Sequence, residues 1–287
     1  MNTHILLKLE EQCGVRKVLS YESQRAVFED EYKHIKELES NVSFFRIFCF
    51  AWKSIETNLK TLEAEVIKFS GSMSGTTVVT RVSYQHIDNI SQIYTCICNF
   101  LSSANLLISL MEKNSLSEDI KDKWINKKRQ LHLQNYCYRI CYELRNHSQH
   151  AGVPISSINV SNLNDDQETQ VSLLLEKDEI LNSSQCTKNL RKYVNEAEGD
   201  IDVYANIVEF VEVLRQLLRF FFELNDEFYQ PIVGYYEVYS EYVKSHTNEC
   251  LILVPRGTHE KDILDVYERL DLSTCKWVLD TFTYNPT

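Results

Sequence analysis

Apolar residues recur at steps of three and four along most of the chain, the signature of helices with one buried face. Residues 22–69 read as one long helix, or two in line, because Phe28, Tyr32, Ile35, Leu38, Val42, Phe45, Cys49 and Trp52 keep that spacing. A linker, SGSMSGTT at 70–77, follows. A second helix is expected over about 84–113, with Ile87, Ile90, Tyr94, Ile97, Leu101, Leu107 and Leu110 on its face. Ser115 and Glu118 have capping-box spacing and should open a third helix over 117–146. Its apolar face comprises Leu133, Cys137, Ile140, Cys141 and Leu144.

After Pro154 the period changes. ISSINVS (155–161) and TQVSLLLE (169–176) alternate or run apolar around NLNDDQ, which predicts a β-hairpin over about 155–176. Helical spacing returns over 200–225, through Ile201, Tyr204, Ile207, Val208, Val211, Leu214, Leu218 and Phe221. Pro231 should end or kink that helix. CLILVPR (250–256) reads as a short strand, followed by a weakly helical tail. The domain organisation expected is a helical bundle over 1–247 and a short strand/helix tail over 248–287 packed on it.

Composition agrees with long helices, since 287 residues hold only 7 Gly and 4 Pro. The net charge of −11 excludes a general basic coat for duplex nucleic acid. Charge is unevenly placed, however. Lys121 to Arg145 contains seven Lys/Arg against two Asp/Glu, the one basic stretch in an acidic chain. Lys127, Lys128 and Arg129 lie there as a candidate RNA path, with a solvated helix face as the plainer reading. Nine cysteines, without paired zinc spacing and without a secretory pattern, fit free buried thiols in a cytoplasmic protein. No uninterrupted apolar run approaches 18 residues, so no membrane partner is expected. Walker, dinucleotide-binding, zincin and nucleophile-elbow motifs are absent, and no cofactor or metal is implied.

Candidate chemistry concentrates in YELRNHSQHAGVPISS, 142–157. Arg145 and His150 form an Arg-x4-His pair at the end of the basic helix, with Asn146 beside the arginine. A guanidinium fork holds a phosphate through two oxygens. An imidazole moves a proton near neutral pH. RNA supplies its own nucleophile in the 2′-hydroxyl, so such a pair suffices for transesterification without a metal. Five positions on a continuous helix rotate through about 500°, so the two side chains would diverge by about 140°. Either the helix loosens between them, or a second subunit supplies one of the pair. The plainer reading is a helix C-terminus, with both cations bonding the last carbonyls. His147 reads as a solvated or capping residue. Arg81 and His86 repeat the spacing and read as surface residues at a helix start.

LRNHSQHAGVPI, with the helix before it and SSANLLISLMEK at 102–113, resembles the Arg-Asn-x3-His signature of the HEPN superfamily over residues 84–157. The resemblance implies a mainly α, antiparallel helical bundle, here with a small β-hairpin insertion and a short α/β tail. It also implies a homodimer that brings two Arg/His pairs into one cleft. Many members are metal-independent ribonucleases of bacterial phage defence or toxin–antitoxin systems, so an antitoxin or defence partner is implied. Others bind RNA or nucleotides without turnover, and that alternative stays open. By position, Arg145 would hold the scissile phosphate, His150 would act as general base or acid, and Asn146 would orient the phosphate or cap the helix. Toxins regulated by adenylylation carry a tyrosine two residues past the histidine, where this chain has Gly152.

Overall fold

A computed structural model describes residues 2–10, 22–72, 78–81, 87–114, 117–150, 155–162, 169–184, 186–243 and 249–283. The protein is mainly helical, with two small antiparallel sheets among the described residues. The chain divides into two compact units, one built from residues 1–49 and 225–287, the other from 50–224. Helix α1 (Glu29–Ser72) lends its first half to one unit and its second half to the other.

The unit of residues 50–224 holds β3 (Val78–Arg81), α2 (Ile87–Lys113), α3 (Glu118–Gln134), α4 (Tyr136–His150), β4 (Ser157–Asn162) and β5 (Thr169–Leu175). It continues with α5 (Lys177–Asn182), α6 (Lys188–Glu196), β6 (Ile201–Asp202) and α7 (Val203–Leu224). The predicted hairpin forms as β4 and β5, paired from Ser157↔Leu174 to Asn162↔Thr169, in a sheet of order β3-β4-β5-β6. The core lies between α2, α4 and α7. Ile97, Phe100, Leu101 and Leu107 of α2 are buried, as are Ile207, Leu214, Leu218 and Phe221 of α7. Each such side chain contributes roughly 1.5–3 kcal/mol when fully buried. Among the described residues α2 is also the one helix long and apolar enough to cross a membrane by length and composition, but its apolar face is taken up by this core.

In this unit three features depart from the sequence reading. The basic helix is two helices: Asn135 is extended (φ −112°, ψ 115°), and its side-chain amide and its backbone N–H both donate to the Leu131 carbonyl. That local bond competes with helix continuation, as asparagine side chains do. Leu133, expected on the buried face, is 66% exposed, because the break at Asn135 shifts the phase of the face. The N-cap of α3 is Ser117, whose hydroxyl accepts from the Ile120 N–H, while Ser115 lies outside the described residues.

The other unit begins with β1 (Asn2–Glu10) and β2 (Glu22–Phe28), so residues 22–28 are strand rather than the start of a helix. It adds α8 (Asp226–Ser240), β7 (Glu249–Pro255), a 3-10 turn at Glu260–Asp262, α9 (Ile263–Val266), β8 (Glu268–Arg269) and α10 (Leu272–Thr283). The sheet order is β2-β1-β7-β8. β7 pairs with β1 from His4↔Pro255 to Glu10↔Glu249. Leu7, Leu9, Cys250, Ile252, Val254 and Ile263 form one cluster. Leu6, Leu251 and Leu253 alternate with them on the opposite face and are equally buried. A strand covered on both faces must be apolar throughout, which is why CLILV runs without alternation. Pro231 does not end the helix it was expected to end, since α7 already stops at Leu224, and it lies inside α8 instead.

Candidate functional site

Helix α4 carries the Arg-Asn-x3-His residues on its last turns. It forms here because Cys137, Tyr138, Ile140, Cys141 and Leu144 give it one buried stripe, packed against α2, α6 and α7. The Tyr138 ring lies 5.1 Å from that of Phe210, and the Cys141 thiol points at the Asn206 carbonyl at 3.6 Å. Burial pushes the Cys137 and Cys141 thiols above their ordinary range, so they are inert apolar fillers at neutral pH.

Glu143 is a buried carboxylate on the same helix. It accepts from the Thr187 hydroxyl at 2.8 Å and from the Asn189 amide at 3.3 Å. Thr187 is the N-cap of α6, and its hydroxyl also accepts from the Leu190 N–H at 3.0 Å. An anion there meets the positive end of the α6 dipole. At the far end of α6 the Lys177 ammonium donates to the Asn195 and Ala197 carbonyls. Arg139 holds the side of α6, with Glu196 at 2.9 Å and the Tyr193 ring 5.3 Å beneath its guanidinium. α4 is thereby fixed against α6 before its candidate residues are reached.

Arg145 is half-buried. Its Nη1 donates to the Asn146 side-chain oxygen at 3.1 Å, and its buried Nε has no partner among the described residues. No carboxylate pairs with it among those residues. Its own carbonyl accepts the Ser148 hydroxyl at 2.9 Å. The structure therefore brings Arg145 and Asn146 into contact. The backbone of α4 is helical through His150, and the His150 side chain lies outside the described side chains. The same holds for the side chains of Arg81 and His86.

Compared with known proteins, the chain matches no family model, no curated protein and no solved structure.

His147 departs from its expected solvated position. It is only 5% exposed, and its Nδ1 has no partner among the described residues. Burial alone holds its pKa below the ordinary histidine range, so it sits neutral in the interior. The signal was its position three residues after Leu144 and seven after Ile140, on the stripe α4 buries. The candidate RNA path is distributed unevenly. Lys128 pairs with Glu112 and lies 5.2 Å from the Trp124 ring, and Lys127 lies 5.6 Å from the Phe220 ring. Arg129 is exposed. Two of the three cations are thus engaged with neighbouring side chains. Among the described residues no group of His, Cys, Asp and Glu has the arrangement to hold a metal ion.

Proposed function

We propose that this protein is a metal-independent endoribonuclease of the HEPN type, working as a homodimer in bacterial defence or toxin–antitoxin biology in the cytoplasm. The observation that carries the reading is the state of Arg145. Its guanidinium is oriented by Asn146 and, among the described residues, has no carboxylate to neutralise it. A helix-capping role would spend it on terminal carbonyls, whereas among the described residues its bond goes to a side-chain oxygen. A guanidinium kept in reserve near neutral partners is what a phosphodiester requires.

The uninterrupted α4 also bears on stoichiometry. A helix that stays regular from Tyr136 to His150 does not loosen between the pair. Convergence on one phosphate then falls to a second copy, with Arg145 of one chain facing His150 of the other. In that composite cleft His150 takes the proton of the 2′-hydroxyl. The 2′-oxygen attacks phosphorus, and the bond to the 5′-oxygen breaks. The 5′-oxygen leaves with a proton from water. Arg145 neutralises the charge that builds on the phosphorane oxygens. The products are a 2′,3′-cyclic phosphate and a 5′-hydroxyl.

The test is cleavage of labelled RNA in EDTA by the intact chain and its Arg145→Ala and His150→Ala variants. The expected outcome is cleavage by the parent and a loss of about 10²–10⁴-fold in His150→Ala. Equal cleavage by parent and variants sinks the reading. RNA binding with no cleavage by any of them assigns the same cleft to a non-catalytic binding module.

A further inference from the structure

Between α1 and the strands β7 and β8, within a single unit, lies a cleft of about 330 Å³. Its floor is apolar, made by Ile35, Leu253 and Leu270. Its walls carry Lys36, Arg46, Arg269, Glu39 and Glu268, with the hydroxyls of Ser40 and Ser43.

The polar groups of this cleft are unequally used. Three of the four carboxylate oxygens of Glu39 and Glu268 already accept hydrogen bonds from the protein, and the fourth faces Arg46. Glu268 takes the Tyr32 hydroxyl on one oxygen and the Lys36 ammonium on the other, both at 3.0 Å. Glu39 takes the Tyr235 hydroxyl at 2.6 Å and the Asp271 N–H at 3.2 Å on one oxygen, and faces Arg46 at 3.6 Å with the other. Asp271, behind Arg46, takes its Nε at 2.6 Å together with the Ser273 and Thr274 hydroxyls and the Thr274 N–H. The donors are only partly spent. Arg46 uses Nε and points Nη2 at Glu39, which leaves Nη1 uncommitted among the described residues. Lys36 commits one of its three protons, to Glu268. The Ser40 and Ser43 hydroxyls have no hydrogen bond among the described residues. A concavity whose carboxylates are mostly engaged and whose donors are in surplus has the chemistry to hold an acceptor-rich anion.

We propose that the α1–β8 cleft binds a small organic anion, a carboxylate or phosphate ester, with its anionic group on Arg46 and Lys36 and its body beside the Ser40 and Ser43 hydroxyls. The site is independent of the nuclease reading, since none of its residues belongs to α4.

The experiment is thermal melting of the intact chain with adenosine 5′-monophosphate, with phenylacetate, and with adenosine and sodium chloride as uncharged-ligand and ionic-strength controls. A ligand that binds only the folded state raises Tm as its concentration rises. The expected result is such a rise with one or both anions and none with the controls. Adenosine monophosphate alone assigns a phosphate ester, and phenylacetate alone a carboxylate. Ser43→Leu fills the cleft from an exposed helical position and leaves Arg46 and Asp271 unsubstituted, and should abolish the rise. Ser40→Leu serves if the first variant melts abnormally. Arg145→Ala should keep the full rise, which separates this cleft from the nuclease site. No rise beyond the controls overturns the proposal, as does an equal rise in the filled variants or loss of the rise in Arg145→Ala.

Discussion

His147 carries an ionisable ring into the interior, and burial is the one cause that moves its titration; no charge on α2, α3, α6 or α7 contributes. Its pKa in the fold lies below its unfolded value of about 6.5. Below that value the unfolded chain takes up a proton that the folded chain refuses, so stability falls as pH drops and is fully present above it. His132 acts in the same sense, lowered first by burial and then by Arg139. Melting temperatures measured between pH 7.5 and 5 should therefore drop more steeply for the parent chain than for His147→Leu. Parallel curves would remove His147 from the account. Glu143 makes a separate demand. Glu143→Ala strips the acceptor from Thr187 and Asn189 and should cost about 1–3 kcal/mol in urea unfolding. Combined with Thr187→Ala, which also removes the α6 cap, the two losses should fall short of additive by about 0.5 kcal/mol or more. Simple additivity would mean that the contact carries no energy of its own.

Among the elements, the legible ones were those whose signal is local. α2 and α7 begin within three residues of the expected starts, and the hairpin falls inside its expected range, because a long stripe or a clean change of period fixes an element without knowledge of its neighbours. The missed ones depend on distant partners or on one side chain. Nothing within residues 2–10 says strand until β7 is set beside it. Glu22–Phe28 joins that sheet through β1, although its spacing runs on into the helical pattern of α1. Asn135 stops a helix whose stripe continues on both sides of it. At the candidate site the motif, its helix and its basic flank were readable, and the burial of His147 was readable in part from its place on the stripe. That Lys127 and Lys128 would lie against Phe220 and Trp124 was not, since those rings come from the packing of α3 on α7 and from α3 itself. Phe221→Ala, deep in the α7 stripe, should cost about 3–5 kcal/mol by chemical denaturation. A cost under 1 kcal/mol would mean that α7 is not the centre of its unit.

At the scale of the whole molecule, the proposed pairing of Arg145 with His150 from another chain makes a prediction that a monomeric site does not. Arg145→Ala and His150→Ala, each inactive alone, should regain activity when mixed and allowed to exchange. Half of randomly paired dimers are mixed, and each mixed dimer holds one intact site of two, so about a quarter of parental activity should return. A mixture as inactive as its components would exclude the composite site.

The sheet joining β1 to β7 has a consequence for how the chain is made. The two strands stand some 240 residues apart in sequence, and the unit of residues 50–224 is synthesised complete between them. At ribosomal speeds of about 5–20 residues per second, β1 waits on the order of ten to fifty seconds for its partner. During that interval its Leu6, Leu7 and Leu9 have no strand β7 to cover them, a hazard that chaperones exist to manage. Slow translation between codons 50 and 249 should therefore lower the soluble yield of this protein more than the same slowing after β7 has emerged.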